Sequence, residues 1–312
     1  MTDSLLNSIP KSVRVVEVGP RDGLQNEGAI LDTEEKIQFV EMLADAGFAD
    51  VEVSSFVNPA RVPQLADAAE VFKGLRKREG TRYSALVPNR KGLDRALDAG
   101  VQAIALFTAA SETFTQKNIG MTIADSLQVF RSLMPVAKEN RLWVRAYVST
   151  AFVCPYEGPI QPVAVLAVTQ KLLEMGVDEI SIGDTIGHAV PTDVAKLTEA
   201  LLPRLPLEKL AYHFHDTRGT ALANVLMALQ QGVSIFDSSA GGAGGCPFAP
   251  GASGNLATED LLGMLQGMGI ETGVDIRKVM EAAWFLEATL GKYLPGKYLQ
   301  SDISEEEEVA SE

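Results

Sequence analysis

The amino-acid sequence predicts an α/β protein built as a closed (β/α)8 barrel. Eight short runs rich in β-branched residues recur along the chain, and ten or more residues of helical pattern separate most of them. The runs are apolar almost throughout rather than alternating, as strands of a parallel sheet covered by helices must be. The turn after the first run, Gly19-Pro20-Arg21-Asp22-Gly23, lacks the glycine spacing of a dinucleotide loop. That weighs against the competing doubly wound open sheet. Eight units in one domain fit a barrel.

The first run, Val13 to Gly19, is a strand that stops at Gly-Pro, and Arg21 and Asp22 lie in the turn beyond it. Asp32 and Glu35 form a capping-box pattern at a helix start. Ile37, Val40, Leu43 and Ala44 give that helix an apolar face, and Gly47 closes it. Val51 to Phe56 is the second strand. Gly47, Gly100, Gly176 and Gly232 each end a helical stretch and precede strands starting near Val51, Ala103, Glu179 and Ser234. The remaining strands are Arg82 to Val87, Trp143 to Ser149 and Leu210 to Asp216. Beyond Glu259 the pattern stays helical to about Leu290. The expected organisation is an N-terminal extension over 1–12, one barrel domain with C-terminal helices over 13–300, and an acidic, disordered tail over 301–312.

A net charge of −14, from 27 Lys and Arg against 41 Asp and Glu, repels phosphate backbones and argues against nucleic-acid binding. An anionic substrate then needs a local basic group. No run approaches 18 apolar residues, so no transmembrane helix is expected, and Met1 to Pro10 lacks the pattern of a signal peptide. Two cysteines make no disulfide scaffold, which points to a reducing compartment, a bacterial-type cytoplasm or an organelle matrix, with the cytoplasm expected. A homo-oligomer, dimer or tetramer, is expected.

In a barrel, chemistry sits at the C-terminal strand ends. There the sequence places Arg21 and Asp22, Glu52, Cys154 to Gly158, Asp184, His213 and His215, and a glycine-rich segment carrying Cys246 and Asn255. His213 and His215 are two of only three histidines. Two residues apart on a strand, they face the same way. Either alone reads as a core histidine bonded to a polar neighbour; the pair, with oxygen donors nearby, points to a metal. Asp22, His213, His215 and Asn255 offer two nitrogens and two hard oxygens, a set suited to Mg2+ or Mn2+, with Zn2+, Co2+ and Fe2+ as alternatives. Cys246 as a ligand would favour zinc. Six glycines from Gly241 to Gly254 read better as a lid that carries Cys246 than as a phosphate loop, because the Lys-Ser/Thr ending of a P-loop is missing. Glu52 and Asp184 have a bland alternative, structural ion pairing with Arg21.

Five stretches together resemble the hydroxymethylglutaryl-CoA lyase family. They are Val16 to Glu27 (VEVGPRDGLQNE), Cys154 to Gly158 (CPYEG), Gly183 to Gly187 (GDTIG), His213 to Asp216 (HFHD), and Gly244 to Asp260 with its GGCP and GNLATED segments. The resemblance spans about Val13 to Leu290. It implies a TIM barrel that cleaves 3-hydroxy-3-methylglutaryl-CoA to acetyl-CoA and acetoacetate. It also implies a divalent metal on Asp22, His213, His215 and Asn255, with Arg21 at the thioester carbonyl and Cys246 as the loop acid. Two departures from the family pattern stand near the mouth, the smaller segment Ser239 to Phe248 and His188 after the Asp184 motif, and both bear on the acyl substituent.

Breaking the C2–C3 bond of such a thioester requires loss of the hydroxyl proton, an enolate at the thioester and protonation of that enolate. The candidate catalytic set is Cys246 as acid, Asp22 or His213 as proton acceptor, Arg21 at the enolate oxygen, and Glu52 and Asp184 orienting Arg21 and the metal shell. Within enzymes the alternative is a lyase for a related ester, such as citramalyl-CoA or a longer branched 3-hydroxyglutaryl-CoA, followed by a condensing synthase. Outside catalysis it is an inactive metal-binding barrel.

Overall fold

The computed structural model describes residues 9–245 and 254–301. Eight parallel strands close on themselves: β1 (Arg14–Glu17), β2 (Asp50–Ser55), β3 (Arg82–Leu86), β4 (Ala103–Ala109), β5 (Trp143–Ser149), β6 (Glu179–Asp184), β7 (Leu210–Phe214) and β8 (Ile235–Ser238). β1 pairs in parallel with β2 on one side and with β8 on the other, so no sheet edge is left and the open-sheet alternative is excluded. An antiparallel hairpin, Val153–Cys154 with Gly158–Pro159, follows β5.

Ten helices cover the barrel among the described residues: α1 (Thr33–Asp45), α2 (Ala68–Gly74), α3 (Arg90–Asp98), α4 (Glu112–Ile119), α5 (Ile123–Glu139), α6 (Pro162–Met175), α7 (Pro191–Leu201), α8 (Ala221–Gln230), α9 (Thr258–Gly267) and α10 (Ile276–Leu290). The capping box at α1 is formed in both directions, Asp32 accepting from the Glu35 amide and Glu35 from the Asp32 amide. The buried stripe of α1 is Lys36, Phe39, Val40, Leu43 and Ala44, with Ile37 at its half-buried edge. Lys36 is tolerated there because its ammonium reaches Asp67 at 2.7 Å.

Four strand ends differ from the sequence reading, and two of them, β2 at Ser55 and β3 at Leu86, stop just one residue early. β1 stops at Glu17, and the chain turns at once into a five-residue π-helical turn, Gly19–Gly23, in which the Val18 carbonyl accepts from the amides of Arg21, Asp22 and Gly23. β7 stops at Phe214; His215 instead forms an antiparallel bridge with Asn255. The 1–8 extension and the 302–312 part of the acidic tail lie outside the described residues, as does the lid segment 246–253 with Cys246.

The helix-ending glycines predicted from sequence have positive φ, at +105° for Gly47, +73° for Gly100, +85° for Gly176 and +87° for Gly232. Gly47 is the most constrained, because a β-carbon there would stand 2.5 Å from the Gly273 carbonyl oxygen, whereas one at Gly100 would meet nothing within 4 Å. Gly100→Ala should therefore lose about 1 kcal/mol from backbone strain alone. Gly47→Ala should lose clearly more, and side-by-side urea melts of the two variants check the ranking.

Candidate active site and metal centre

The π-turn after β1 presents two consecutive residues to the barrel mouth. Arg21 is buried, and its guanidinium is held by Glu52 from β2 through Nε at 2.8 Å and Nη2 at 2.6 Å. Its Nη1 pairs with the adjacent Asp22 carboxylate. The same Glu52 oxygen accepts from the Tyr147 hydroxyl on β5 at 2.9 Å, and Arg21 lies 5.4 Å from the Tyr147 ring centroid. A planar cation fixed on three sides keeps its orientation without paying rotamer entropy when a ligand arrives.

His213, on β7, and His215, just past its end, stand beside this turn with ring centroids 5.2 Å apart. Donor atoms of Asp22, His213 and His215 all lie within 4.8 Å of one another. Asn255 is brought in by its bridge to His215, and its side chain bonds both the Ala243 carbonyl, at 3.1 Å, and Asp22. Two buried atoms here have no hydrogen-bond partner, Nδ1 of His215 and Oδ1 of Asn255. Unsatisfied buried acceptors are costly unless something else coordinates them. Two nitrogens with carboxylate and amide oxygens suit a divalent cation.

The charges agree. Arg21 holds Asp22 well below the usual carboxylate range despite burial, with help from the two histidines. Burial, reinforced by its neighbour His213, pushes His215 down to about 3, so it presents a neutral ring. Behind His213, the Asp237 carboxylate on β8 approaches Nδ1 at 3.2 Å and also meets Arg145 at 2.5 Å and Ser181 at 2.9 Å. Asp237, Arg145, Tyr147 and Ser181 all line this site, and none was among the predicted site residues. Asp237 carries the same signal as Glu52, an acid inside an apolar strand.

Asp184 differs from the expectation. Its carboxylate accepts from the amides of His188 and Ala189, at 3.1 and 3.0 Å, and makes no ion pair with Arg21. Its work is on the loop after β6, where backbone N–H groups that no sequence pattern displays reach it first. Burial outweighs these amide bonds and the nearby His213 and raises it to about 6. Cys154 is buried against Ser111, with Sγ to Oγ 3.0 Å, and lies off the donor cluster.

The glycine-rich segment enters the site at its root. The Glu17 carboxylate accepts from the Gly19 amide at 2.7 Å, the Ala240 amide at 3.0 Å and the Thr258 hydroxyl at 2.7 Å, so one side chain ties the Arg21 turn to the segment. Glu259 accepts from the Gly241 amide at 2.8 and 3.0 Å. A β-carbon on Gly254 would lie 2.3 Å from the Gly244 carbonyl, and one on Gly244 would lie 2.8 Å from the Asn255 amide nitrogen. The two arms of the segment therefore meet directly over Asn255.

A family model described as HMGL-like matches residues 12–286. The hydroxymethylglutaryl-CoA lyase of Pongo abelii, named mitochondrial, is 50% identical over 96% of this chain and 93% of its own. The hydroxymethylglutaryl-CoA lyase structure from Pseudomonas aeruginosa superimposes with a TM-score of 0.94 at 46% identity, covering 96% of this chain and 99% of that one. An HMG-CoA lyase from Acinetobacter baumannii, solved with coenzyme A and 3-methylmalate, gives 0.89 at 38% identity over 93% and 95% of the two chains.

Burial, opposed by neutral hydrogen bonds, raises Glu17 to about 7 and Glu259 to about 8. Each binds its proton more tightly in the folded chain than in the unfolded one, so folding stability falls as pH rises from the ordinary carboxylate range to about 8, then levels off. In EDTA, the melting temperature should be lower at pH 8.5 than at pH 5.5, and Glu259→Gln should flatten the slope. An equal slope in the variant would exclude Glu259 as a source.

Proposed function

The chain belongs to the HMGL-like family, and on that premise we propose that it is a divalent-metal-dependent carbon–carbon lyase that cleaves 3-hydroxy-3-methylglutaryl-CoA to acetyl-CoA and acetoacetate. The observation that carries the reading is the π-turn after β1, which aims a fixed guanidinium and a metal-type donor cluster at one point from consecutive residues, Arg21 and Asp22. Asp22, His213, His215 and Asn255 are the residues that would hold Mg2+ or Mn2+. Bound there, the metal would make the substrate's 3-hydroxyl a stronger acid and offset charge on its oxygens.

The chain's own groups do the rest. Of the two proton acceptors open on sequence grounds, Asp22 is preferred on geometry, because His213 already has Asp237 on one nitrogen and faces Asp22 with the other, at 3.8 Å. As the C2–C3 bond breaks, its electron pair moves into the thioester, C3 becomes the ketone of acetoacetate, and Arg21 meets the enolate oxygen with two parallel N–H groups. Glu52 and Tyr147 hold that fork in plane. Cys246 then protonates C2 to give acetyl-CoA. The support for Cys246 is the position of the loop root, with Gly244 against Asn255 and Asp22. Asp184 is assigned to positioning the loop after β6. A cytoplasmic location is proposed on the low cysteine content, and a homo-oligomer by the resemblance alone.

A coupled assay for acetyl-CoA release tests the reading. Purified protein with Mg2+ or Mn2+ should turn over the substrate, EDTA should abolish turnover, and citramalyl-CoA should be the poorer substrate; the reverse preference would move the chain to the related-ester activity. Arg21→Lys keeps the charge and loses the fork, so kcat should fall roughly 10²-fold or more. Cys246→Ser should lose most activity and keep its metal. Full activity in either variant removes that residue's role.

A further inference from the structure

Asp237 sits where a purely structural partner for Arg145 need not sit. Arg145 already has Glu179, with Nε to Oε1 at 2.9 Å, and it is one rung of an ion ladder along the barrel interior. Glu179 continues to Arg14, Arg14 to Asp50 at 2.6 Å, and Asp50 to Arg82 at 2.9 Å near the opposite mouth. Asp237 extends this ladder upward and meets a histidine ring. It is level with His213 in the β7–β8 register, and its two oxygens divide their partners: Oδ1 takes Arg145, while Oδ2 takes Ser181 and His213 Nδ1. His213 Nε2 points the other way, to Asp22.

We propose that Asp237 is the positioning residue of the metal centre: clamped by Arg145 and Ser181, it holds the proton of His213 on Nδ1 and leaves the Nε2 lone pair facing Asp22 and the cation. This rests on the metal-centre reading above. The physical reason is that a neutral imidazole carries one N–H, and the partner on one nitrogen decides which nitrogen is free to ligate. An ionised carboxylate can only accept, so it selects the Nδ1–H tautomer. An amide in its place would not. Arg145, a donor at 2.5 Å, would claim the amide oxygen and turn the NH2 group toward His213. That group donates to Nδ1, moves the ring proton to Nε2 and removes the ligating lone pair.

The test is Asp237→Asn beside wild type and His215→Ala, with Mn2+ as the probe. Binding to metal-stripped protein is read by the EPR signal of free Mn2+. With only three histidines in the chain, 15N-histidine NMR resolves the ring tautomers in the metal-free protein at alkaline pH, where the rings are neutral. Asp237→Asn should weaken Mn2+ binding by about tenfold or more, and the His213 proton should move from Nδ1 to Nε2. Unchanged Mn2+ affinity in Asp237→Asn with loss in His215→Ala would overturn the positioning role and leave the metal centre standing. Unchanged affinity in both variants would overturn the metal centre itself. If Asp237→Asn does not fold, the wild-type tautomer decides: Nε2–H on His213 overturns the proposal. Ser181→Ala, which removes only a neutral donor, should weaken Mn2+ binding by a smaller factor than Asp237→Asn.

Discussion

A barrel interior is dry, and a guanidinium there is tolerable only with carboxylates at contact distance. Arg145 and Arg21 are both buried, and each is met by two acids, Glu179 with Asp237 and Glu52 with Asp22. Stripping one partner from such a set leaves an uncompensated buried charge, which costs far more than the intact pair contributes. The ion pairs therefore act less as a reservoir of stability than as a constraint on geometry. They dictate the rotamer of Arg21, the orientation of Asp237 and, through it, the ring of His213. Along the linked set, four arginines (14, 21, 82, 145) face five acids (22, 50, 52, 179, 237), a net negative charge that a bound cation would offset.

Much of this was readable from residue types. The eight strands show because parallel strands under helices are apolar on both faces and end sharply at Gly, Pro or a charge. Trp143–Ser149 is matched to the residue. The His213–His215 pair shows because strand periodicity puts both on one face, although His215 is held by a bridge to Asn255 rather than by the ladder. Extended backbone in a bridge and in a strand has the same side-chain period, so sequence cannot separate them.

What sequence could not show is who meets whom across the barrel. Asp237 and His213 are 24 residues apart, and Arg145 and Asp237 are 92 apart. Asp237 carries a legible signal, an acid among Ile235, Phe236 and Ser238, and it is level with His213 in the β7–β8 register, but strand spacing does not show which side chains it meets. Asp184 illustrates the opposite error. Its residue type suggested an ion pair with Arg21, and the amides of His188 and Ala189 took it instead. Backbone donors are present at every position, so composition never reveals which will converge.

The buried acids divide into two kinds by what they touch. Asp22 and Asp237 lie against arginine and are held below the usual range, so they are permanent acceptors that orient charge. Glu17, Asp184 and Glu259 lie against amides and a hydroxyl, and burial raises them. These three hold backbone: the Arg21 turn, the loop after β6, and the root of the glycine-rich segment. Their position is instructive. Each bonds amides of a connection at the C-terminal rim, and two of them, Glu17 and Glu259, bracket Ala240 and Gly241 from opposite sides. A loop rich in glycine has little side-chain packing to define where it begins. Hydrogen bonds from buried carboxylates to its first amides supply that definition and fix Ala240 and Gly241 at the rim, with Gly244 against Asn255.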